Sequence, residues 1–320
     1  MKKDVVLGID IGGTFTKFGL VSEEGNVYHE DSVQTNRHDD IRMYIKDLKN
    51  AVEDKARTNG FNITGIGVGA PNGNFYKGTI EFAPNLPWKG VINLSKLFEE
   101  EFKAPATVTN DANAAAMGEM LYGNAQDISN FIMITLGTGL GSGLVVNGEL
   151  IYGHDGFAGE LGHTTVFVDG RQCACGRKGC LETYVSAPGI KRTVFEMLGT
   201  EIHDSCLRKY SFEDLDARMI SEAALENDPL ALKAFDFTGK ILGLKLADAV
   251  AHTSPEAIFL FGGLANAGDL IFEPVKKYME QFLLPIFRDK VKIEPSALQH
   301  KNIAVLGAAA LMWNEMHKKA

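Results

Sequence analysis

The stretch "VVLGIDIGGTFTKFGLV" (5–21) returns in altered form as "FIMITLGTGLGSGLVV" (131–146). A shift of 124 positions brings Gly13 onto Gly137, Thr14 onto Thr138, Gly19 onto Gly143, Leu20 onto Leu144 and Val21 onto Val145. Each copy is an apolar run, a Gly/Thr turn and a second apolar run, the pattern of a strand, a tight turn and a strand. This internal repeat predicts two related α/β halves. The 320 residues are enough for two ordinary domains, each with its own core.

Other segments fill out these halves. "EEGN" (23–26) reads as a hairpin turn. Ile41, Ile45, Leu48 and Val52 share one helical face, with Gly60 beyond its end. "ITGIGVGA" (63–70) reads as a buried strand, and 70–90 as a long ordered loop rich in turn residues. A helix near 93–103 and a strand at 106–109 lead to "NDANAAAMGEMLYGN", a helix with Asn110 or Asp111 at its N-cap and Gly123 past its end. Downstream the chain is mainly helical. Asp228-Pro229 opens a helix that runs to about His252. "PEAIFLFGGLANAGD" (255–269) is a strand, a Gly-Gly turn and a helix start, and "NIAVLGAAALMWNEMHKK" is a last helix with small residues at 307–310. With no low-complexity linker, the halves are expected to pack together.

Apolar residues make up 45% and charged residues 23%, a soluble globular composition. No apolar run reaches the length of a membrane span. "MKKDVVLGID" lacks the apolar core of a signal peptide, which predicts the cytoplasm, where thiols stay reduced. The net charge of −9 argues against a nucleic-acid surface.

Three of the four cysteines lie within eight residues, in the spacing His163-x9-Cys173-x-Cys175-x4-Cys180. Imidazole and thiolate ligands suit tetrahedral Zn²⁺, and four protein ligands make a closed, structural site. Glycines 170, 176 and 179 let the loop curl so that the thiols converge. A closed site orders a loop and does no chemistry itself, so the working residues are sought beside it. Glu160 and Glu182 flank the cluster. Carboxylates pinned by a metal loop can read sugar hydroxyls at defined angles. Cys206 reads as a free thiol.

Glycine turns stand at 12–14, 137–139 and 262–263. A Walker-type P-loop is absent, as is a G-x-G-x-x-G between a strand and a helix. Backbone N–H groups in glycine turns can cradle phosphate oxygens. Thr14 and Thr138 can add hydroxyl donors. Asp10, ending a buried strand, suits hydrated Mg²⁺. Asp111, at a strand-to-helix junction, is either a plain cap or a general base kept ionised by the helix terminus. Each turn alone fits an ordinary hairpin; the set points to phosphate.

Through "GIDIGGTFTKFGL", "NDANAAAMGE", "LGTGLGSGLVVNG", "GFAGELGHTTV" and "CACGRKGCLETYVS" the chain resembles the ROK family (repressors, open reading frames and sugar kinases). The likeness runs from Gly8 to the last helix and is strongest to bacterial ATP-dependent glucokinases. It implies an actin-like ATPase (ribonuclease H-like) fold, α/β, with two domains around a central cleft. The N-terminal domain would hold 1–110 plus 302–320, with the first phosphate turn and a returning helix. The C-terminal domain would hold 111–301, with the catalytic Asp, the zinc loop and the adenosine turn.

The resemblance also implies ATP-dependent phosphorylation of a hexose 6-hydroxyl, glucose foremost, with ATP, Mg²⁺ and structural Zn²⁺. Asp111 would be the base. Asn85, Asn110, Asp111, Glu160, His163 and Glu182 would bind the sugar. The other ring nitrogen of His163 would ligate zinc with Cys173, Cys175 and Cys180. Asp10, Gly12, Gly13 and Thr14, with Gly137, Thr138 and Gly139, would hold the phosphates and Mg²⁺. Gly262 and Gly263 would lie by the adenosine. Partners would be a small sugar and ATP, with no nucleic acid or membrane, in a homo-oligomer (dimer or tetramer).

The rival readings are a kinase for N-acetylmannosamine, N-acetylglucosamine, fructose or mannose, and polyphosphate as donor. A sugar-sensing regulator is a further rival, but only seven residues precede Gly8 where its helix-turn-helix would stand. The last rival is an inactive zinc-stabilised binding protein. "GAPNGNFYKG" replaces the Pro-Gly pair and aspartate turn of many members, so this loop bears on the choice of sugar.

Overall fold

The computed structural model describes residues 3–202, 204–299 and 302–319. Met1, Lys2, His203, His300, Lys301 and Ala320, which fall at the edges of or inside the domains expected above, lie outside the described residues. The chain forms two compact units. The first joins Met1–Asp127, Glu149–Ala158 and His300–Ala320; the second joins Ile128–Gly148 and Gly159–Gln299.

In the first unit the elements are β1 (Lys3–Ile11), β2 (Phe15–Val21), β3 (Val27–Gln34), α1 (Ile41–Thr58), β4 (Phe61–Gly69), β5 (Gly73–Asn74), β6 (Thr79–Glu81), β7 (Val91–Asn93), α2 (Leu94–Phe102), β8 (Ala106–Thr109), α3 (Asp111–Tyr122), β11 (Glu149–Leu150) and α8 (Ile303–Lys319). The main sheet has the order β3-β2-β1-β4-β8. β2 pairs antiparallel with β1 and β3, whereas β1, β4 and β8 are parallel. Side chains alternate across a strand, so the two faces of this sheet differ. One presents Leu7, Ile9, Ile66 and Val68 to Ile45, Leu48 and Val52 of α1 in a shared apolar core. The other presents glycines to α8. A Cβ on Gly67 would stand 1.7 Å from the Ala308 carbonyl oxygen, and one on Gly8 would stand 2.2 Å from that of Val305. The helix backbone therefore rests directly on the strands.

The stretch 70–90, expected as a loop, contributes β5 and β6 to a small antiparallel sheet with β7. Strands of two or three residues are too short to show a period of two.

The second unit contains β9 (Phe131–Leu136), β10 (Leu140–Val146), α4 (Ala187–Thr200), α5 (Ala217–Leu225), α6 (Pro229–Thr253), β12 (Ala257–Phe261), α7 (Asp269–Phe282) and β13 (Lys292–Pro295). Its strands follow the order β10-β9-β12-β13. β10 is antiparallel to β9, and β9, β12 and β13 are parallel. This repeats β2-β1-β4-β8 in order and sense, so the repeat in sequence is a repeat in topology. Its core joins Ile132, Ile134, Ile258 and Leu260 of the sheet to Phe235, Leu242 and Leu246 of α6. Asp228 caps α6 by accepting from Leu230 and Ala231 N–H groups, each at 3.0 Å.

The unit boundary departs from the one drawn at residue 110. α3, which begins with Asp111, belongs with the first unit because its small residues admit α8 at close range. A Cβ on Gly307 would stand 1.8 Å from the Ala114 carbonyl oxygen, and one on Gly118 would stand 3.2 Å from Gly307 Cα. The segment 149–158 also returns to the first unit. Among the described residues, no helix is long and apolar enough to cross a membrane.

Candidate functional site

In the first unit, β1 and β2 pair up to Ile11 and Thr16, which leaves Gly12, Gly13 and Thr14 as the turn. Gly12 N–H donates to the Phe15 carbonyl at 3.1 Å, and the Thr14 carbonyl accepts from Thr35 N–H at 2.9 Å. A Cβ on Gly13 would come within 2.7 Å of the Asn85 carbonyl oxygen. Glycine here lets the Asn85 segment lie against the turn. Asn85 and Thr14 are both exposed.

Asp10, half-buried one residue before the end of β1, pairs with Gly69 of β4. The Cβ position of Gly69 lies 3.7 Å from Asp111 Cα and 3.2 Å from Ala114 Cβ. The ends of β1 and β4 thus meet the start of α3. Burial, and then the nearby charge of Asp111, push the Asp10 carboxyl up to about 6, with Lys17 opposing. Lys17 faces Asp10 across the hairpin register. Its part was missed in the sequence, although counting back from the turn would have found it.

The cap of α3 is Asn110, whose side-chain oxygen accepts from Asn113 N–H at 2.7 Å. Asp111 is therefore spared that task. Its surface is open to solvent, and the protein mass around it pushes its carboxyl above the usual carboxylate range, partly offset by N–H donors of Ala112 and of its own residue. The Ala112 bond is 2.9 Å. A carboxylate of raised proton affinity is the stronger proton acceptor. Asp10, Gly12, Gly13, Thr14, Asn85, Asn110 and Asp111 thus all lie in the first unit, along these adjoining segments.

In the second unit the turn at 137–139 closes with Gly137 N–H donating to the Gly139 carbonyl at 3.0 Å. The third turn stacks on its root. Gly262 has φ of +107°, and a Cβ there would stand 2.5 Å from the Leu136 carbonyl oxygen, so glycine is required twice over. Leu264 N–H also donates to Leu136 at 3.2 Å. Gly262 and Gly263 are thereby joined to the segment carrying Gly137, Thr138 and Gly139.

The cysteine loop folds as a knuckle. Thr165 bridges to Cys180 and Gln172 to Lys178. Ligand atoms of His163, Cys173, Cys175 and Cys180 all lie within 4.8 Å of one another. Cys175 and Cys180 sulfurs are 3.7 Å apart, as are Cys173 Sγ and His163 Nδ1. Two thiolates about 2.3 Å from one tetrahedral ion stand about 3.8 Å apart, so the donor set fits zinc. His163 Nδ1 is the ring nitrogen that faces the thiols. Nε2 looks the other way, 4.0 Å from a Glu160 oxygen. Burial pushes the Cys173 thiol up to about 12, so in the absence of a cation this ligand stays protonated; a cation is what would ionise it.

Glu182 follows Cys180 in a one-turn helix, residues 181–183. Arg171, overlooked in the sequence, holds this region. Its guanidinium donates to the Thr183 and Gly189 carbonyls at 2.8 and 3.0 Å, to Thr193 Oγ1 at 3.0 Å, and pairs with Glu196. It also lies 4.4 Å over the Tyr184 ring. A basic residue next to a metal loop looks in sequence like a solvated charge, so no local signal marked it.

The ROK family model matches residues 6–315. The glucokinase of Halalkalibacterium halodurans is 34% identical over 96% of this chain and 94% of its own. That of Thermotoga maritima is 32% identical over 98% of each. A crystal structure of a ROK family glucokinase from Streptomyces griseus, in complex with glucose and AMPPNP, is 31% identical, covers 97% of this chain and 99% of its own, and has a TM-score of 0.82. Two like-ordered α/β sheets, each with a glycine hairpin at its centre, define an actin-like ATPase fold. Within that class, the chain belongs to the ROK family.

Proposed function

We propose that this protein transfers the γ-phosphoryl group of ATP to the 6-hydroxyl of a hexose, with glucose as the foremost acceptor. The observation that carries this reading is Asp111. Its carboxylate stands at the start of α3, relieved of capping by Asn110 and raised in proton affinity by its surroundings. The full-length similarity to glucokinases supports the acceptor.

Phosphoryl transfer passes through a loose transition state, so the protein contributes chiefly positioning and charge stabilisation. The two turns, Gly12, Gly13 and Thr14 and Gly137, Thr138 and Gly139, are assigned to the phosphates: the N–H groups of Gly12 and Gly137 close the turns, and those of Gly13, Thr14, Thr138 and Gly139 are assigned to phosphate oxygens. Asp10 is assigned to the hydrated Mg²⁺, which supplies neutralising charge when bound. Gly262 and Gly263 are assigned to the adenosine. Asn85, Asn110, Asp111, Glu160, His163 and Glu182 are assigned to the sugar. An oxygen of Asp111 takes the proton of the attacking hydroxyl as the new O–P bond forms and the bond from the γ-phosphorus to the β–γ bridging oxygen breaks, leaving ADP. Zinc on His163, Cys173, Cys175 and Cys180 would order the loop that carries these contacts. The four cysteines are free thiols, which suits a cytoplasmic protein. A dimer or tetramer is the expected assembly, to be weighed by light scattering.

The test is ADP release from Mg-ATP with glucose, mannose, fructose, N-acetylglucosamine and N-acetylmannosamine, against a blank without sugar. Turnover on glucose is expected. Asp111→Asn should lower kcat by about 10²–10⁴-fold and leave glucose affinity within a few-fold by calorimetry. Preference for an N-acetylated sugar would replace the acceptor; silence on every sugar would remove the kinase reading. Undiminished turnover in Asp111→Asn would take the base role from Asp111.

A further inference from the structure

Glu182 touches both the metal-ligand cluster and the second glycine turn. Its Oε2 accepts the Leu140 N–H at 3.1 Å. A Cβ on Gly139 would fall 2.3 Å from that same oxygen, so the carboxylate lies directly on the turn. Its Oε1 lies 3.5 Å from the Cys173 sulfur.

The carboxylate is seated from both directions along the chain. Two residues before it, Cys180 is at once a metal-ligand candidate and the residue that opens the one-turn helix. Leu181 N–H then donates to the Thr164 carbonyl at 2.9 Å. One residue after it, the Thr183 carbonyl receives the buried Arg171 guanidinium. The turn has few other anchors of this kind. Its residues are Gly, Thr and Gly, and glycine backbone is intrinsically loose. Its outward tie is the Gly137 carbonyl, which accepts from Ala187 N–H at 2.9 Å.

We propose that Glu182, held by the metal loop on one side and Arg171 on the other, is a positioning residue for the second glycine turn. The metal loop then governs affinity for the nucleotide as well as for the sugar. This rests on the assignment of Gly137–Gly139 to phosphate. Residues that order a metal's surroundings commonly act through such contacts, and here the contact runs outward from the metal loop.

The experiment measures hydrogen exchange of peptides over 137–141 and calorimetric binding of Mg-AMPPNP with no sugar present. The samples are zinc-loaded protein, chelator-stripped protein, and the variants Glu182→Ala, Glu182→Gln and Arg171→Lys. Stripping and Glu182→Ala should each speed exchange at the turn and weaken nucleotide binding about tenfold, the scale of one lost hydrogen bond to a charged group. Glu182→Gln keeps a carbonyl oxygen for the Leu140 N–H and should recover most of both. Arg171→Lys should fall between. Peptides of β1 and β4 should not change, which separates this effect from general unfolding.

Unaltered exchange in Glu182→Ala would overturn the proposal. Faster exchange with unaltered nucleotide affinity would also overturn it, and would remove the phosphate assignment of Gly137–Gly139. A full response without turnover on any sugar would sustain the proposal and remove only the hexose kinase reading.

Discussion

Asp10 is held in the form in which burial disfavours its charge. Its carboxyl titrates near 6 in the folded chain, whereas an unfolded aspartate titrates near 3.9. Between these values the folded state holds the extra proton. Stability from this residue is therefore lost as pH rises from about 4 to about 6 and stays lost above. Asp10→Asn removes the charge without removing the side chain. We expect it to raise the stability of metal-free protein at pH 7.5 by up to about 3 kcal/mol, a gain that disappears near pH 4. Thermal melts at the two pH values, with EDTA, check this; a loss at pH 7.5 would mean that Asp10 makes a stabilising contact there. Turnover should fall in the same variant if Asp10 carries Mg²⁺. In sequence, Asn110 and Asp111 were equal candidates for the cap because both residue types cap helices. The division of labour between them is set by backbone torsions that a one-dimensional reading lacks.

Among the elements, α8 shows most directly how small residues decide packing. The carbonyl of Ala308 occupies the place a Cβ would need on Gly67. Gly67→Ala must push the helix off the sheet and should cost about 2–4 kcal/mol in urea unfolding. Gly199, in α4, has nothing within 4 Å of its Cβ position. Gly199→Ala should be neutral or stabilising by about 1 kcal/mol, and the contrast between the two is the measurement. The hairpins at 5–21 and 131–146 were legible because their glycines fall at matching places in two long apolar runs. β5, β6 and β7 were not, because strands of two or three residues are too short to show an alternating pattern. α1 and α6 were legible from periodicity, a cap and a stop.

In the molecule as a whole, two separate apolar cores are held by different means. The first closes on α1, α2 and β1, β4 and β8. The second core is large and helical, and the cysteine loop beside it has few apolar side chains of its own. Removing zinc with a chelator should lower the melting temperature by roughly 5–10 °C, with faster hydrogen exchange over 163–189 and none over β1 to β4. An unchanged melt in protein shown to have carried zinc would mean that the metal adds no stability. The likeness of the two halves could be read from the chain; the boundary between units could not. It follows contacts of Gly118, Gly307 and Ala114, and the return of 149–158 carries no mark in composition.

The order of segments has a consequence for synthesis. Domains made by the ribosome usually fold in the order in which they emerge. Here α8 follows every segment of the second unit, yet it covers the glycine face of β1 and β4. The second unit can be finished while the first still shows a bare strip of backbone. A chain cut off ahead of α8 would keep its cysteine loop and lose the support beneath Asp10 and Asp111.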